Sequence, residues 1–274
     1  MNPTLTKHRL RVGSRLGKYR LNRRIASGGF ATVFAATDTL LGMPVALKVV
    51  SADLVDEVLL DQFRREVRLT IGLEHPGILP VRDTGFESGH LFMASPLASK
   101  TLSDRLEKRF GFETAFDYAS QILSAVAFAH ENSVIHCDIK PENILLFDDG
   151  VLRLADFGIA KVAMTTASGS GTGTIGYMAP DQAMGKPSMR SDVFSIDLIL
   201  YRMFSGHWPE YAFDWPPAGA ANLRRRLHRD SIHVIKKSIE VRPRDRFADA
   251  SAMGSAWEAT RSKALRFAKR QRSR

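Results

Sequence analysis

His136-Cys137-Asp138-Ile139-Lys140-Pro141-Glu142-Asn143 is followed, thirteen residues beyond Asn143, by Asp156-Phe157-Gly158. Two acid-bearing loops so placed offer one carboxylate to take or orient a proton. They also offer a second carboxylate and an amide oxygen, hard ligands suited to a cation such as Mg²⁺. Such a set suits phosphoryl transfer, where in-line positioning and charge neutralisation matter more than covalent chemistry. Upstream, Lys48 lies in the strand-like run Val45-Ala46-Leu47-Lys48-Val49-Val50, and Glu66 falls on the helix that follows. A lysine paired with that carboxylate would be held where phosphates can meet it.

Outward from these loops the chain changes character once. Strand-like segments fill the first third: Tyr19–Ile25, Thr32–Thr37 and Pro44–Val50, with the turn-like Ser27-Gly28-Gly29 between the first two. Val55, Leu59, Phe63, Val67 and Ile71 recur at helical spacing, which predicts an amphipathic helix over Asp53–Leu73, ended by His75-Pro76-Gly77. Short strands are expected near Ile78–Phe86 and Leu91–Ala94. After Pro96 the pattern turns helical, over Phe116–His130, Asp192–Phe204, Asn222–Arg229, Ser231–Ser238 and Asp249–Ala264. A strand-rich part followed by a helix-rich part predicts an α+β protein with a cleft between two lobes and a hinge near Ser95–Ala98.

Three later motifs complete a series: Ala179-Pro180-Asp181, Ser191-Asp192-Val193-Phe194-Ser195 at the start of a helix, and Pro243-Arg244-Asp245-Arg246. Each is weak alone, but in this order they leave coincidence little room. Over roughly residues 19–257 the chain resembles a eukaryotic-type (Hanks-type) serine/threonine protein kinase, with a bacterial look. The resemblance implies a bilobal protein kinase-like fold: a small antiparallel β N-lobe with one long helix and a larger, mostly helical C-lobe. Its parts would be a basic extension (1–18), the N-lobe (19–95), the C-lobe (96–260) and a basic tail (261–274).

It also implies ATP and Mg²⁺ as cofactors, protein Ser/Thr hydroxyls as acceptors, and autophosphorylation. Asp138 would be the base, Lys140 would steady the γ-phosphate, and Asn143 and Asp156 would be the metal ligands. Lys48, fixed by Glu66, would bind the α- and β-phosphates. Ile25, Ala26, Ser27, Gly28, Gly29 and Phe30 would form the phosphate-covering loop. Val33, Ala46 and Leu145 would enclose adenine, and Ser95 and Leu97 would offer it backbone hydrogen bonds. The activation segment would hold Thr165, Thr166, Ser168, Ser170, Thr172 and Thr174, the last reaching the catalytic loop. The Asp138-x-Lys140-x-x-Asn143 pattern and Thr174 imply preference for serine and threonine over tyrosine. Asp181 would pair with Arg246, Asp192 would brace backbone, and His136 would be a packed core histidine.

Five departures accompany the likeness. Ala26 and Ala31 stand where the family favours glycine, which allows backbone to approach phosphate closely; weaker nucleotide binding is expected, not its loss. Cys137 replaces the arginine usual before the catalytic aspartate (a non-RD variant), so activity is expected not to need a phosphate-to-arginine contact. Asp181 is one methylene shorter than the usual glutamate. Asp197 replaces a glycine and has no evident role. Ala94 aligns with the residue guarding the pocket behind adenine, which predicts an enlarged pocket for bulky purine analogues. These departures motivate one rival reading, a binding scaffold with a kinase fold. The retained Lys48, Glu66, Asp138, Asn143 and Asp156 oppose it. A small-molecule kinase is the other rival, opposed by the complete segment through Tyr177-Met178-Ala179-Pro180.

The totals fit this reading. The chain has 274 residues, 44% hydrophobic and 25% charged, ample for a folded core. No apolar run approaches the roughly 18 residues of a membrane span, the start lacks a signal-peptide h-region, and one cysteine suits a reducing compartment. A cytoplasmic, soluble enzyme is expected. Of the net charge of +10, residues 1–24 carry eight Lys or Arg and residues 261–274 seven, with no acid in either. The body between them is thus 10 − 8 − 7 = −5. The basic ends read as solvated tails, with docking to an acidic partner as the alternative; nucleic acid is not expected. No histidine spacing suggests zinc.

Overall fold

The computed structural model describes residues 10–28, 31–50, 57–157, 175–208 and 215–272. The chain forms two compact units, one of residues 1–74 and 79–98, the other of 75–78 and 99–274. The division falls between Ala98 and Ser99, where the sequence pattern turns from strand to helix.

The first unit is a six-stranded antiparallel sheet of order β1-β2-β3-β4-β6-β5 with one described helix. The strands are β1 (Arg15–Leu16), β2 (Tyr19–Ser27), β3 (Ala31–Asp38), β4 (Met43–Val50), β5 (Asp83–Glu87) and β6 (His90–Pro96); the helix is α1 (Glu57–Ile71). Alternation sorts the residues: Tyr19, Leu21, Phe34, Val45, Leu47, Phe92 and Ala94 close one buried cluster. The basic extension is woven into this unit from Arg15, with Leu16 1% exposed and Lys18 bridging Asp38 and Asp83. The single strand expected over 78–86 is not formed. Pro80, which cannot donate to a ladder, interrupts it; Ile78 instead bridges to Leu154 in the second unit, and β5 begins at Asp83.

The second unit is mostly helical. It holds β7 (Lys100–Thr101), α2 (Leu102–Leu106), α3 (Phe112–Glu131), β8 (Ile144–Leu146), β9 (Leu152–Leu154) and α4 (Pro180–Ala183). Then come α5 (Met189–Ser205), α6 (Ala220–Arg226), α7 (Arg229–Ser238), α8 (Ala250–Glu258) and α9 (Arg261–Arg272). Every residue of α5 from Ser191 to Ser205 except Arg202 is buried, so α5 is the axis on which the other helices lie. A helix buried all round must be apolar or find partners for its polar groups; the Ser195 hydroxyl, for example, donates to Tyr177 O at 2.7 Å. Asp249–Ala264 is two helices, not one: the Thr260 hydroxyl donates to Trp257 O at 2.8 Å, and α9 starts at Arg261. The basic tail is helical, not merely solvated, because Ala264 is fully buried and Lys263 pairs with Asp230.

His75-Pro76-Gly77 docks on α3 as it ends the helical run. The His75 ring stacks on Phe128 at 5.1 Å, and the Gly77 N–H donates to His75 Nδ1. A Cβ on Gly77 would stand 3.0 Å from that of Ala125, so close approach requires glycine here.

Candidate active site

Asp138 lies between α3 and β8, its side chain 26% exposed. Lys140 Nζ is 2.8 Å from Asp138 Oδ2, and Asn143 Nδ2 donates to that oxygen at 3.0 Å and to Asp138 O at 2.9 Å. Among the described residues both side-chain donors go to Oδ2, which leaves Oδ1 without one. A carboxylate held from one side by a cation and an amide can accept a proton on the other.

His136 explains why this loop and the Asp156 loop share a fixed geometry. The Asp138 N–H donates to His136 Nδ1 at 3.1 Å, so the ring proton sits on Nε2, which donates to Ala155 O at 2.9 Å. The ring is fully buried and meets Phe157 edge-on at 4.7 Å. It is therefore a core histidine that ties Ala155, the residue before Asp156, to Asp138. Asp156 and Cys137 both adopt positive φ, 63° and 66°. That region is costly for residues other than glycine, and the Cys137 loop is held there by surrounding bonds.

Those bonds come from α5. Asp192, 1% exposed, accepts from the His136 N–H at 2.7 Å, the Cys137 N–H at 2.9 Å and His130 Nε2 at 3.0 Å. His130 Nδ1 in turn accepts from the Ala250 N–H, which sets the tautomer. Asp192 is thus the backbone brace the sequence suggests. Gln182, 3% exposed, donates to Cys137 O. His130 and Gln182 escaped sequence reading because each acts across more than forty residues of chain and belongs to no local pattern.

In the first unit, Lys48 lies on β4, directly opposite Val33 on one side and Met93 on the other. Residues paired directly across antiparallel strands share a face. Val33, Ala46, Lys48, Met93 and Ser95 therefore form one row of neighbours. Ala94 pairs with Leu47 and lies 1% exposed in the cluster on the opposite face. The expectation that Ala94 opens a pocket beside Lys48 is corrected: Met93 occupies that face, and a bulky residue at 94 would overpack the core. Ile25, Ala26 and Ser27 are exposed at the end of β2 and lead to Gly28; Leu145 is on β8 and Leu97 follows β6.

The protein kinase domain family matches residues 19–258. The chain belongs to that family. Among curated proteins it is 34% identical to the serine/threonine-protein kinase PknL of Mycobacterium bovis, over 88% of this chain and 65% of that one. It is 32% identical to a probable serine/threonine-protein kinase of Clostridium acetobutylicum, over 85% of this chain and 38% of that one. The chain thus spans 65% of the length of the first of these relatives and 38% of the second. A cysteine-to-alanine mutant of the Mycobacterium tuberculosis PknI kinase domain has the same fold, with a TM-score of 0.72 at 24% identity over 93% of this chain and all of that one.

Within this kinase domain the later motifs join as well. Arg246 Nη1 meets Asp181 Oδ1 at 2.8 Å, and Ser191 Oγ donates to Asp181 Oδ2. Arg246 also donates to the carbonyls of Glu240, Val241 and Arg190, so four of the five donors of the buried guanidinium are engaged. The shorter aspartate is accommodated because Ser191 takes its second oxygen. Ahead of it, Arg202 Nη1 donates to the Tyr177 hydroxyl at 3.1 Å, and Tyr177 packs edge-on to Trp208. A Cβ at Gly176 would run into the Trp208 ring, so the segment can lie there only as glycine.

Asn143 spends its amide hydrogens on Asp138, so its oxygen is the free donor atom, and Asp156 adds a carboxylate. One carboxylate and one amide oxygen fit Mg²⁺, which takes remaining ligands from water and phosphates. Among the described residues no group of three or more His, Cys, Asp or Glu gathers as a metal site, and no helix is long and apolar enough to cross a membrane. The side chain of Glu66, and Gly29, Phe30, Thr165, Thr166, Ser168, Ser170, Thr172 and Thr174, lie outside the described residues.

Proposed function

We propose that this chain is an ATP-dependent kinase that transfers the γ-phosphate to Ser/Thr hydroxyls of proteins, its own chain included. The observation that carries the reading is the convergence of Lys140 and Asn143 on one oxygen of Asp138. Asp138 accepts the hydroxyl proton through its other oxygen as the hydroxyl attacks phosphorus and ADP leaves. Lys140, 2.8 Å away, is near enough to follow the negative charge on the transferring group. Asn143 and Asp156 hold Mg²⁺, which supplies charge neutralisation on the phosphates. Lys48, with Glu66, orients the α- and β-phosphates under the Ile25–Phe30 loop. Val33, Ala46 and Leu145 flank adenine, and the backbone at Ser95 and Leu97 reads its edge. Asp181, Arg246 and the Gly176–Tyr177 turn support the platform for a protein substrate. That platform favours protein over small-molecule acceptors, and a cytoplasmic location suits them. The basic residues of the two ends are offered to an acidic partner.

Transfer of label from γ-labelled ATP, with Mg²⁺, to the chain and to a generic basic protein tests this reading. Asp138→Ala is expected to lose on the order of 10²–10³ in rate or more, with phosphoserine or phosphothreonine recovered from wild type. Equal absence of label in both, with ATP still raising the melting temperature, leaves the scaffold reading. Cys137 adds a second expectation. It is a thiol where the family places a guanidinium, and 5% exposed, so it offers no cation to a phosphate, and a phosphatase-treated preparation is expected to keep full initial activity. Strict dependence on phosphorylation of the 165–174 segment contradicts that.

A further inference from the structure

A cavity in the second unit, about 390 Å³, opens between the loop after α2, the end of α5, and α6. Lys108, Arg109, Arg202, Arg225 and Arg226 line it, with Glu107 as the one acid. None of the five cations forms an ion pair with a carboxylate among the described residues. Like charges gathered without counter-charge repel one another, so the arrangement costs stability until an anion enters.

The cavity is also organised. Arg226 is half-buried, its guanidinium fixed on the carbonyls of Phe110 at 2.6 Å, Met203 at 3.4 Å and Phe204 at 3.3 Å. Two of those carbonyls, Met203 and Phe204, end α5, and none of the three bonds supplies a negative charge to the cluster. Arg202 is held by the Tyr177 hydroxyl, and Arg225 by Asn222 Oδ1. Burial first, and then the charge of Arg109, pushes Arg226 below its ordinary range. Fixed guanidinium forks match the oxygens of a phosphate monoester, which carries close to two negative charges at neutral pH.

The lining argues for a peptide-borne phosphate. The volume exceeds what one phosphate fills and leaves room for the side chain that carries it. Of the two rings in the lining, Phe110 is 6% exposed with Arg105 over it, which leaves exposed His207 as the single stacking face, fewer than a nucleic-acid strand uses. We infer that this cavity binds a phosphorylated serine or threonine on a protein segment. The choice of that ligand rests on the proposed activity, which makes this modification; the anion site itself does not.

The test uses the full chain carrying Asp138→Ala, without ATP, so a failure of phosphoryl transfer cannot affect it. Probes are a fluorescent Gly-Ser-rich peptide with one phosphothreonine, its unphosphorylated twin, inorganic phosphate, and a single-stranded RNA of matched charge. The phosphopeptide is expected to bind at least tenfold more tightly than the twin. The double reversal Arg109→Glu/Arg225→Glu, at exposed positions, is expected to abolish that preference with the melting temperature kept. Reversal of Arg244, exposed and away from the cavity, is expected to leave it intact. Should Arg109→Glu/Arg225→Glu unfold the chain, Lys108→Gln/Arg225→Gln must still lower the preference at least threefold. Equal binding of peptide and twin, a preference indifferent to these variants, competition by inorganic phosphate at peptide concentrations, or tighter binding of RNA would each overturn the inference.

Discussion

Asp192 and Asp197 stand five residues apart on the same buried helix, at 1% and 0% exposure, yet their surroundings are opposites. Asp192 accepts three hydrogen bonds, two of them from the backbone of the loop that carries Asp138. Neither oxygen of Asp197 has a partner among the described residues. Burial with nothing to offset it pushes the Asp197 carboxyl well above the ordinary range. Near the start of α5 a carboxylate organises a neighbouring loop. In its middle, where the family favours glycine, a carboxyl group is carried at a cost. Burial alone therefore says little about what an acid does; its donors decide.

The comparison can be broken by substitution. The largest expected effect is at Asp181, which like Asp192 is fully engaged: Asp181→Ala strands the buried Arg246 charge and is expected to cost about 3–5 kcal/mol in urea unfolding. Asp192→Asn replaces a three-way acceptor with a group that must turn an N–H toward a donor. A loss of about 2–4 kcal/mol is expected, with lower transfer rate as the loop loosens. An Asp192→Asn chain of unchanged stability would undo the contrast. Asp197→Ala is expected to go the other way, raising stability by about 1–3 kcal/mol through removal of an unpartnered polar group, with transfer rate unchanged. A loss of stability there would mean that Asp197 has a partner.

The smallest effect is a slope with pH. The folded-state pKa of Asp197 is raised above its unfolded value of 3.8, so the unfolded chain gives up its proton first. Stability present below pH 3.8 is lost progressively as pH rises toward the folded value. Asp197→Asn cannot titrate, so its advantage over wild type is expected to grow from pH 5 to pH 7, by at most about 1.4 kcal/mol for each pH unit. Urea midpoints of the two chains across that range measure it, and parallel curves would refute it.

The Asp138 loop was legible because its contacts are local: Asp138, Lys140 and Asn143 lie within six positions, and one short turn brings them together. Asp192 was legible as a brace, and His136 as a core residue, because buried polar residues beside such a loop have backbone to satisfy. Ala94 was misread for a reason of geometry. Position in the chain does not set register, and one step along a pleated strand exchanges its two faces. Gln182, the Thr260 break and the Ile78 bridge depend on contacts between distant segments, which no local spacing encodes.

The cationic cavity shows the same division. The abundance of arginine is plain in the chain, but its gathering is not. Lys108, Arg202 and Arg225 become neighbours only when α2, α5 and α6 pack. Residue types and short spacings determined which chemistry this domain can perform, because proton acceptors and hard oxygen ligands are properties of side chains. Tertiary structure alone decided which acid on α5 is satisfied and which face Ala94 takes. Hydrogen-bond donors, register and desolvation exist only once distant segments meet.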